Sequence, residues 1–159
     1  MKKTIVLVSG CLIALAVVAA EPSPSKIFQM RLVVDQPSGD SEQFTLVQKS
    51  HGVEQKEILF VQKAVLLDQT DLKSATVSTN TSMEAAQIDI AFTEKGTKDF
   101  AEVTRENVGK KLAMIIDGRI YSAPIIRSPI TGGTAQINGS FSEQEARALA
   151  TKISKTLQK

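Results

Sequence analysis

Five consecutive apolar residues, Leu112-Ala113-Met114-Ile115-Ile116, run straight into Asp117-Gly118, and that junction restricts the fold more than any other part of the chain. A run without alternation has no face to show to water, so it predicts a strand buried on both faces. Asp-Gly is the preferred central pair of a type I′ turn, whose two positions both need positive φ. Arg119 to Ser122 is therefore expected to return antiparallel to Leu112–Ile116. No G-x-G-x-x-G follows a strand and no phosphate-binding G-x-x-x-x-G-K-[ST] is present, which removes the doubly wound nucleotide-binding folds.

The flanking segments fit the same architecture. Ile27 to Val34, Phe44 to Lys49 and Lys56 to Lys63 are apolar-rich stretches of strand length, separated by Pro37-Ser38-Gly39-Asp40 and Ser50-His51-Gly52, the turn chemistry of antiparallel neighbours. Thr70 to Ser74 reads as one helical turn. Ile88, Ile90 and Phe92 alternate with Gln87, Asp89 and Ala91, the period of a strand with one buried face. Thr93 caps a helix running to about Val108, with Phe100, Ala101, Val103 and Val108 inward and Gly109 as its stop. Thr131-Gly132-Gly133-Thr134 turns into a short strand, Ala135 to Asn138. In the last helix Ser142 and Glu145 form a capping box, while Ala146, Leu149, Ala150, Ile153 and Leu157 share one face. The sum is an α+β domain, an antiparallel sheet with two main helices packed on one face.

The first twenty residues follow different rules. Met1-Lys2-Lys3 is a cationic head, Ile5 to Ala20 is almost uncharged, and Val18-Ala19-Ala20 precedes Glu21; this is the pattern of a secretory signal peptide cut between Ala20 and Glu21. Two alternatives stay open. An uncleaved anchor would span about 24 Å, short of the roughly 30 Å hydrocarbon core, and Val8-Ser9-Gly10-Cys11 resembles a lipoprotein box. The expected location is periplasmic or secreted, with tethering through the leader or a lipidated Cys11 as the other outcome. The organisation is then a leader (1–20), a Pro/Ser tether (21–26) and a single domain (27–159), with no transmembrane helix in the mature chain.

Setting the leader aside changes the chemistry. Of 159 residues 139 remain; Lys2 and Lys3 account for the formal charge of +2, and the one cysteine, Cys11, is gone. A neutral remainder argues against a nucleic-acid binder working by phosphate neutralisation. Without a mature cysteine there is no disulfide, thiol nucleophile or thiolate metal ligand. His51 is the only histidine, so a histidine-rich zinc site is excluded and a catalytic triad would have to pass through one residue in a polar turn. Glu102, Arg105 and Glu106, like Glu143, Glu145 and Arg147, read as solvated helix faces, and Asp117 as a turn residue. Asn80-Thr81-Ser82 and Asn138-Gly139-Ser140 match the N-x-[ST] sequon, a pattern frequent by chance. No catalytic residue, metal or cofactor is expected. Ile125, Ile126 and Ile130 stand out because they lie in, or directly after, an irregular stretch bracketed by Pro124 and Pro129. They either fold back onto the core or, with Thr131, Gly132 and Gly133, line an apolar groove beside a sheet edge that accepts an extended peptide.

From about 65 to 157 the chain resembles the head subdomain of the first large periplasmic domain of the SecDF protein-export family. The residues carrying the likeness are Phe92-Thr93-Glu94-Lys95-Gly96, Phe100-Ala101, Thr104-Arg105-Glu106-Asn107-Val108-Gly109-Lys110-Lys111-Leu112-Ala113 and Ile116-Asp117-Gly118-Arg119-Ile120. The likeness continues through Ser122-Ala123-Pro124, Pro129-Ile130-Thr131-Gly132-Gly133, Ile137-Asn138-Gly139-Ser140-Phe141 and Glu145-Ala146. Gln69 stands where the family usually has glycine. The resemblance implies a non-enzymatic role in export, with unfolded secretory polypeptides or translocon-associated proteins as partners. The alternative is an envelope module that keeps the head fold and binds a fixed partner. No catalytic residue carries over, because the matching positions are turn glycines, prolines and core residues.

Overall fold

The computed structural model describes residues 26–50, 53–80 and 85–158. Strands come first: β1 Phe28–Val34, β2 Ser41–Ser50, β3 Val53–Gln62, β4 Leu67–Asp68, β5 Leu72–Asn80 and β6 Ala85–Phe92, with a 3-10 turn at Gln69–Asp71. Then follow α1 Glu94–Glu106, β7 Leu112–Ile116, β8 Arg119–Ser122, β9 Thr134–Asn138 and α2 Glu143–Leu157. The strand pairings are antiparallel and the class is α+β, as the sequence predicts. The strands divide between two sheets, one ordered β2-β3-β1-β7-β8 with β4 beside β1, the other β5-β6-β9.

The turn between β7 and β8 has φ of 51° at Asp117 and 74° at Gly118, and it sets Ile116 opposite Arg119. Two positive φ values are what a type I′ turn requires. All five residues of β7 are buried, and alternate ones serve two cores. Leu112, Met114 and Ile116 join Phe28, Met30 and Leu32 of β1 in the main core. Ala113 and Ile115 face a smaller core with Leu46, Leu59, Val61 and Ile120. That second core exists because the β2–β3 hairpin curls round until β2 lies alongside β8.

The second sheet and both helices close the main core. Ile88, Ile90, Phe92 and Ile137 meet Phe100 of α1 and Ala146, Leu149, Ala150 and Ile153 of α2. The rings of Phe92 and Phe100 stack at 4.6 Å, a geometry worth roughly 0.5–1.5 kcal/mol beyond simple burial. Thr93 Oγ1 accepts from the Gly96 N–H at 3.0 Å to start α1, and Gly109 lies past its end with φ of 88°. The helix stops at Glu106 with Asn107 as its cap. Val108 therefore falls beyond the last turn and is 49 % exposed, which corrects the inward position predicted for it.

Two strands have no counterpart in the sequence reading, the two-residue β4 and the longer β5. The expected helical turn at Thr70–Ser74 is the 3-10 turn at Gln69–Asp71, and the chain then extends as β5. A bulge between Leu72 and Ser74 shifts the register against β6 and breaks the period-two pattern that would have revealed the strand.

Two substitutions test this packing. A methyl group on Gly96 would lie 2.2 Å from the Asp71 carbonyl oxygen, so Gly96→Ala should destabilise by about 1–3 kcal/mol despite alanine's higher helix propensity. Gly39→Ala, where nothing lies within 4 Å, should leave the free energy of urea unfolding within about 0.5 kcal/mol of wild type. At α2, the Ser142 N–H donates to Glu145 at 2.8 Å and the Glu145 N–H donates to Ser142 Oγ at 3.3 Å. The backbone bond from Ser142, then its hydroxyl, hold the Glu145 carboxyl below its usual range. A depressed carboxylate contributes stability above its unfolded value and loses it as pH falls through the folded value. Ser142→Ala should cost about 1 kcal/mol at neutral pH, and Glu145→Gln, which removes the carboxyl that both Ser142 bonds hold, should flatten the acid limb of thermal stability; an unchanged limb in Glu145→Gln would show that the box does not couple to pH.

Candidate functional site

A concave feature that brings a predicted site residue beside a sheet edge lies at the outer end of β1. β3 pairs with β2 along its whole length but with β1 only at Val61 and Phe60, opposite Val33 and Val34. From Ile58 toward the tip, no strand covers this edge among the described residues. In an antiparallel pair alternate residues turn their backbone groups toward and away from the partner. Lys49 N reaches outward to Ser140 Oγ at 2.5 Å, so the odd residues of β2 face away from β3. The register then leaves the even residues of β3 facing away from β2, and Ile58, Lys56 and Glu54 carry backbone donors and acceptors on an open edge.

A groove of about 540 Å³ runs beside that edge. One wall is Glu57 to Phe60, the floor is Leu32 to Val34, and the far wall is Gly109 to Lys111 with Ile125. The far wall is built by backbone bonds. Ile126 N donates to the Lys110 carbonyl at 2.9 Å, Leu112 N to Pro124 at 2.9 Å and Gly109 N to Ile126 at 2.8 Å. The stretch after β8 is thereby laid along Lys110–Leu112, and Ile125 bridges Lys111 in antiparallel register. Ile58 is 60 % exposed and Ile125 50 %, two large apolar side chains on opposite walls. Lys111 Nζ meets Glu57 at 2.7 Å, giving the groove a paired polar rim.

The predicted site residues separate. Ile125 lines the groove, and strand alternation turns its neighbour inward: Ile126 is 4 % exposed and belongs to the main core. That corrects the reading in which all three isoleucines line one groove. Ile130 is exposed, but its N–H donates to Thr104 Oγ1 at 2.9 Å, which fastens it to α1. Thr131 and Gly132 are exposed. Gly133 has φ of 69°, its carbonyl accepts from Phe92 N at 2.9 Å, and an added methyl would lie 2.9 Å from Thr97 Oγ1. This loop enters β9 and does not border the groove. Ile58 and Phe60 were missed, since in Ile58-Leu59-Phe60-Val61 both faces are apolar and the sequence does not say which is covered.

Other candidates are absorbed by local structure. Asp117 sits in the hairpin turn and meets Lys152, and Arg147 pairs with Glu143 along α2. Arg105 meets Glu102 and Glu106 at 3.7 Å on the exposed face of α1. His51, Cys11 and the Ala20-Glu21 junction lie outside the described residues. Among the described residues no group of three His, Cys, Asp or Glu is placed to hold a metal ion, and no helix is long and apolar enough to cross a membrane.

Comparison with known proteins gives this geometry a family. The profile described as SecDF, P1 head subdomain, matches residues 42–156, so the match takes in β2 and β3 as well as the region from 65. The protein translocase subunit SecDF of Thermus thermophilus is 53% identical over 64 residues, 40% of this chain and 9% of that protein. The protein translocase subunit SecD of Calditerrivibrio nitroreducens is 41% identical over 90 residues, 57% of this chain and 17% of the relative. That of Acidaminococcus fermentans is 35% identical over 111 residues, 62% of this chain and 27% of the relative. The chain thus spans only a small part of these relatives. A solved SecDF, described as a membrane component that enhances protein export, superposes with a TM-score of 0.61 at 29% identity, covering 80% of this chain and 61% of that one. SecDF in a super-membrane-facing form gives 0.62 at 30% identity, over 80% of this chain and 18% of that one. With the profile spanning most of its length and the antiparallel fold in common, this chain belongs to the SecDF P1 head subdomain family.

Proposed function

We propose that the protein is a non-enzymatic periplasmic head domain that holds an extended polypeptide during protein export, working beside translocon-associated partners. The observation that carries this reading is the open β3 edge next to the Ile58–Ile125 groove. An extended chain satisfies its backbone by pairing with Lys56 and Ile58 and places alternate side chains between the two isoleucines. Such recognition is tolerant of sequence, because the main chain supplies most of the contacts and the apolar walls ask only for bulk. A domain that handles many unfolded clients needs that tolerance. The relatives support the context, since they are named as protein translocase subunits. The signal peptide read at the N-terminus fits the same compartment.

Burying one isoleucine side chain is worth about 1.5–3 kcal/mol, or roughly tenfold to a hundredfold in affinity. Ile58→Lys combined with Ile125→Lys should therefore weaken binding of an unfolded secretory polypeptide by at least about tenfold, read by fluorescence anisotropy. Both side chains are exposed, so thermal stability should stay near wild type. Equal affinity for wild type and variant would eliminate the groove as the binding site.

A further inference from the structure

The outer part of β3 carries charges that complement one another across a two-fold axis. Its residues with backbone groups turned away from β2 are Glu54, Lys56 and Ile58. Charged side chains usually protect such an edge from strand addition. Here the two charges have opposite sign and stand two residues apart, so they share one face of the strand, and both side chains are exposed. Glu54 meets Lys49 at 3.7 Å, a long contact, and Lys56 makes no ion pair among the described residues.

A second copy of this chain that approaches through a two-fold axis lies antiparallel to β3, and the residue on the axis then fixes the register. With Glu54, Lys56 or Glu57 on the axis, that residue opposes its own equivalent, and like charges directly opposite destabilise a ladder. With Ile58 there, Lys56 is set against Phe60, whose backbone already pairs with Val34. Centres nearer the tip than Glu54 leave only the end of the hairpin in contact. Gln55 remains. It opposes its neutral equivalent and sets Glu54 of each copy against Lys56 of the other. Val53, 61 % exposed, then falls opposite Glu57, a residue of the groove wall, so each copy brings an apolar side chain to the rim of the other's groove.

We propose that two copies of this chain pair through the β3 edge, antiparallel about Gln55, and that an extended client displaces the second copy to reach the groove. The displacement rests on the reading of that groove as the client site; the pairing does not. A two-fold contact of this kind closes at two copies. Its short length makes the dimer a weak one, which suits a site that has to be vacated.

Sedimentation equilibrium of the exported chain at concentrations up to about 1 mM should show a monomer–dimer equilibrium that weakens with added salt. Glu54→Lys should weaken the dimer about tenfold, and so should Lys56→Glu, since each sets two like-charged pairs across the axis. The double variant Glu54→Lys with Lys56→Glu should restore it, and the two single variants mixed should pair with each other more tightly than either pairs with itself. A folding defect would not produce that recovery. An unfolded secretory polypeptide in excess should convert dimer to monomer. Monomer at every concentration, assembly past the dimer, or a dimer indifferent to the charge variants would overturn the pairing. A dimer that keeps both copies with the polypeptide bound would overturn the displacement. If the polypeptide binds neither form, the client reading and the displacement fall together, while the charge variants still decide the pairing.

Discussion

The pairing of β1 with β7 is the constraint from which the rest of the molecule follows. Five residue pairs, from Phe28 opposite Ile116 to Leu32 opposite Leu112, place β7, apolar on both faces, beside β1, whose Phe28, Met30 and Leu32 extend one of them. A sheet with two apolar faces needs two covers, and each cover has a different source. The second sheet and the helices cover one face. The other is covered by the β2–β3 hairpin folding back over Ala113 and Ile115. Losing either cover would expose the middle of the sheet, so the two cores are expected to depend on each other for stability.

The hairpin is anchored by an unusual residue for such a position. Arg31 lies in β1 opposite Ala113 and is 8 % exposed. The small alanine leaves room for a guanidinium, which donates to Glu42 at 2.9 Å and to the Lys63 carbonyl at 2.8 Å, tying both strands of the hairpin to β1. Its Nε has no partner, a cost that an apolar residue would avoid. The contacts at each end of the hairpin base suggest why a charge is kept there. They hold β2 toward β8, and in doing so leave the far edge of β3 unpaired. The open edge and its groove are therefore by-products of closing the second core.

The proposed β3 docking site divides its work between the strand edge and the side chains beside it. At β3 two exposed isoleucines line the groove, and the charges Lys111 and Glu57 on its rim are paired with each other. An edge supplies affinity through the backbone, and the adjacent side chains decide what the arriving strand must carry.

Much of this was legible along the chain. The Asp117-Gly118 turn, the doubly buried run before it, the capping box at Ser142 and Glu145, and the alternation of Ile88, Ile90 and Phe92 are local signals, written within a few residues by backbone sterics and hydrogen-bonding capacity. They settle the antiparallel α+β class. The reading failed where the deciding partner is distant in sequence. Gly96 looks like a tolerated helix glycine until Asp71 is found against it, and Val108 looks inward until the helix ends before it. β5 was hidden by a bulge that only its pairing with β6 reveals. The same holds for the site: Ile125 and Ile126 are indistinguishable as neighbours in a proline-bracketed stretch, and it is the antiparallel bridge to Lys111 that turns one out and the other in. The sequence by itself determined which segments could be strands, turns and helices, because those preferences are local. Only the tertiary structure decided which apolar faces are covered and which edges stay open, because burial and strand pairing are set by residues far away along the chain.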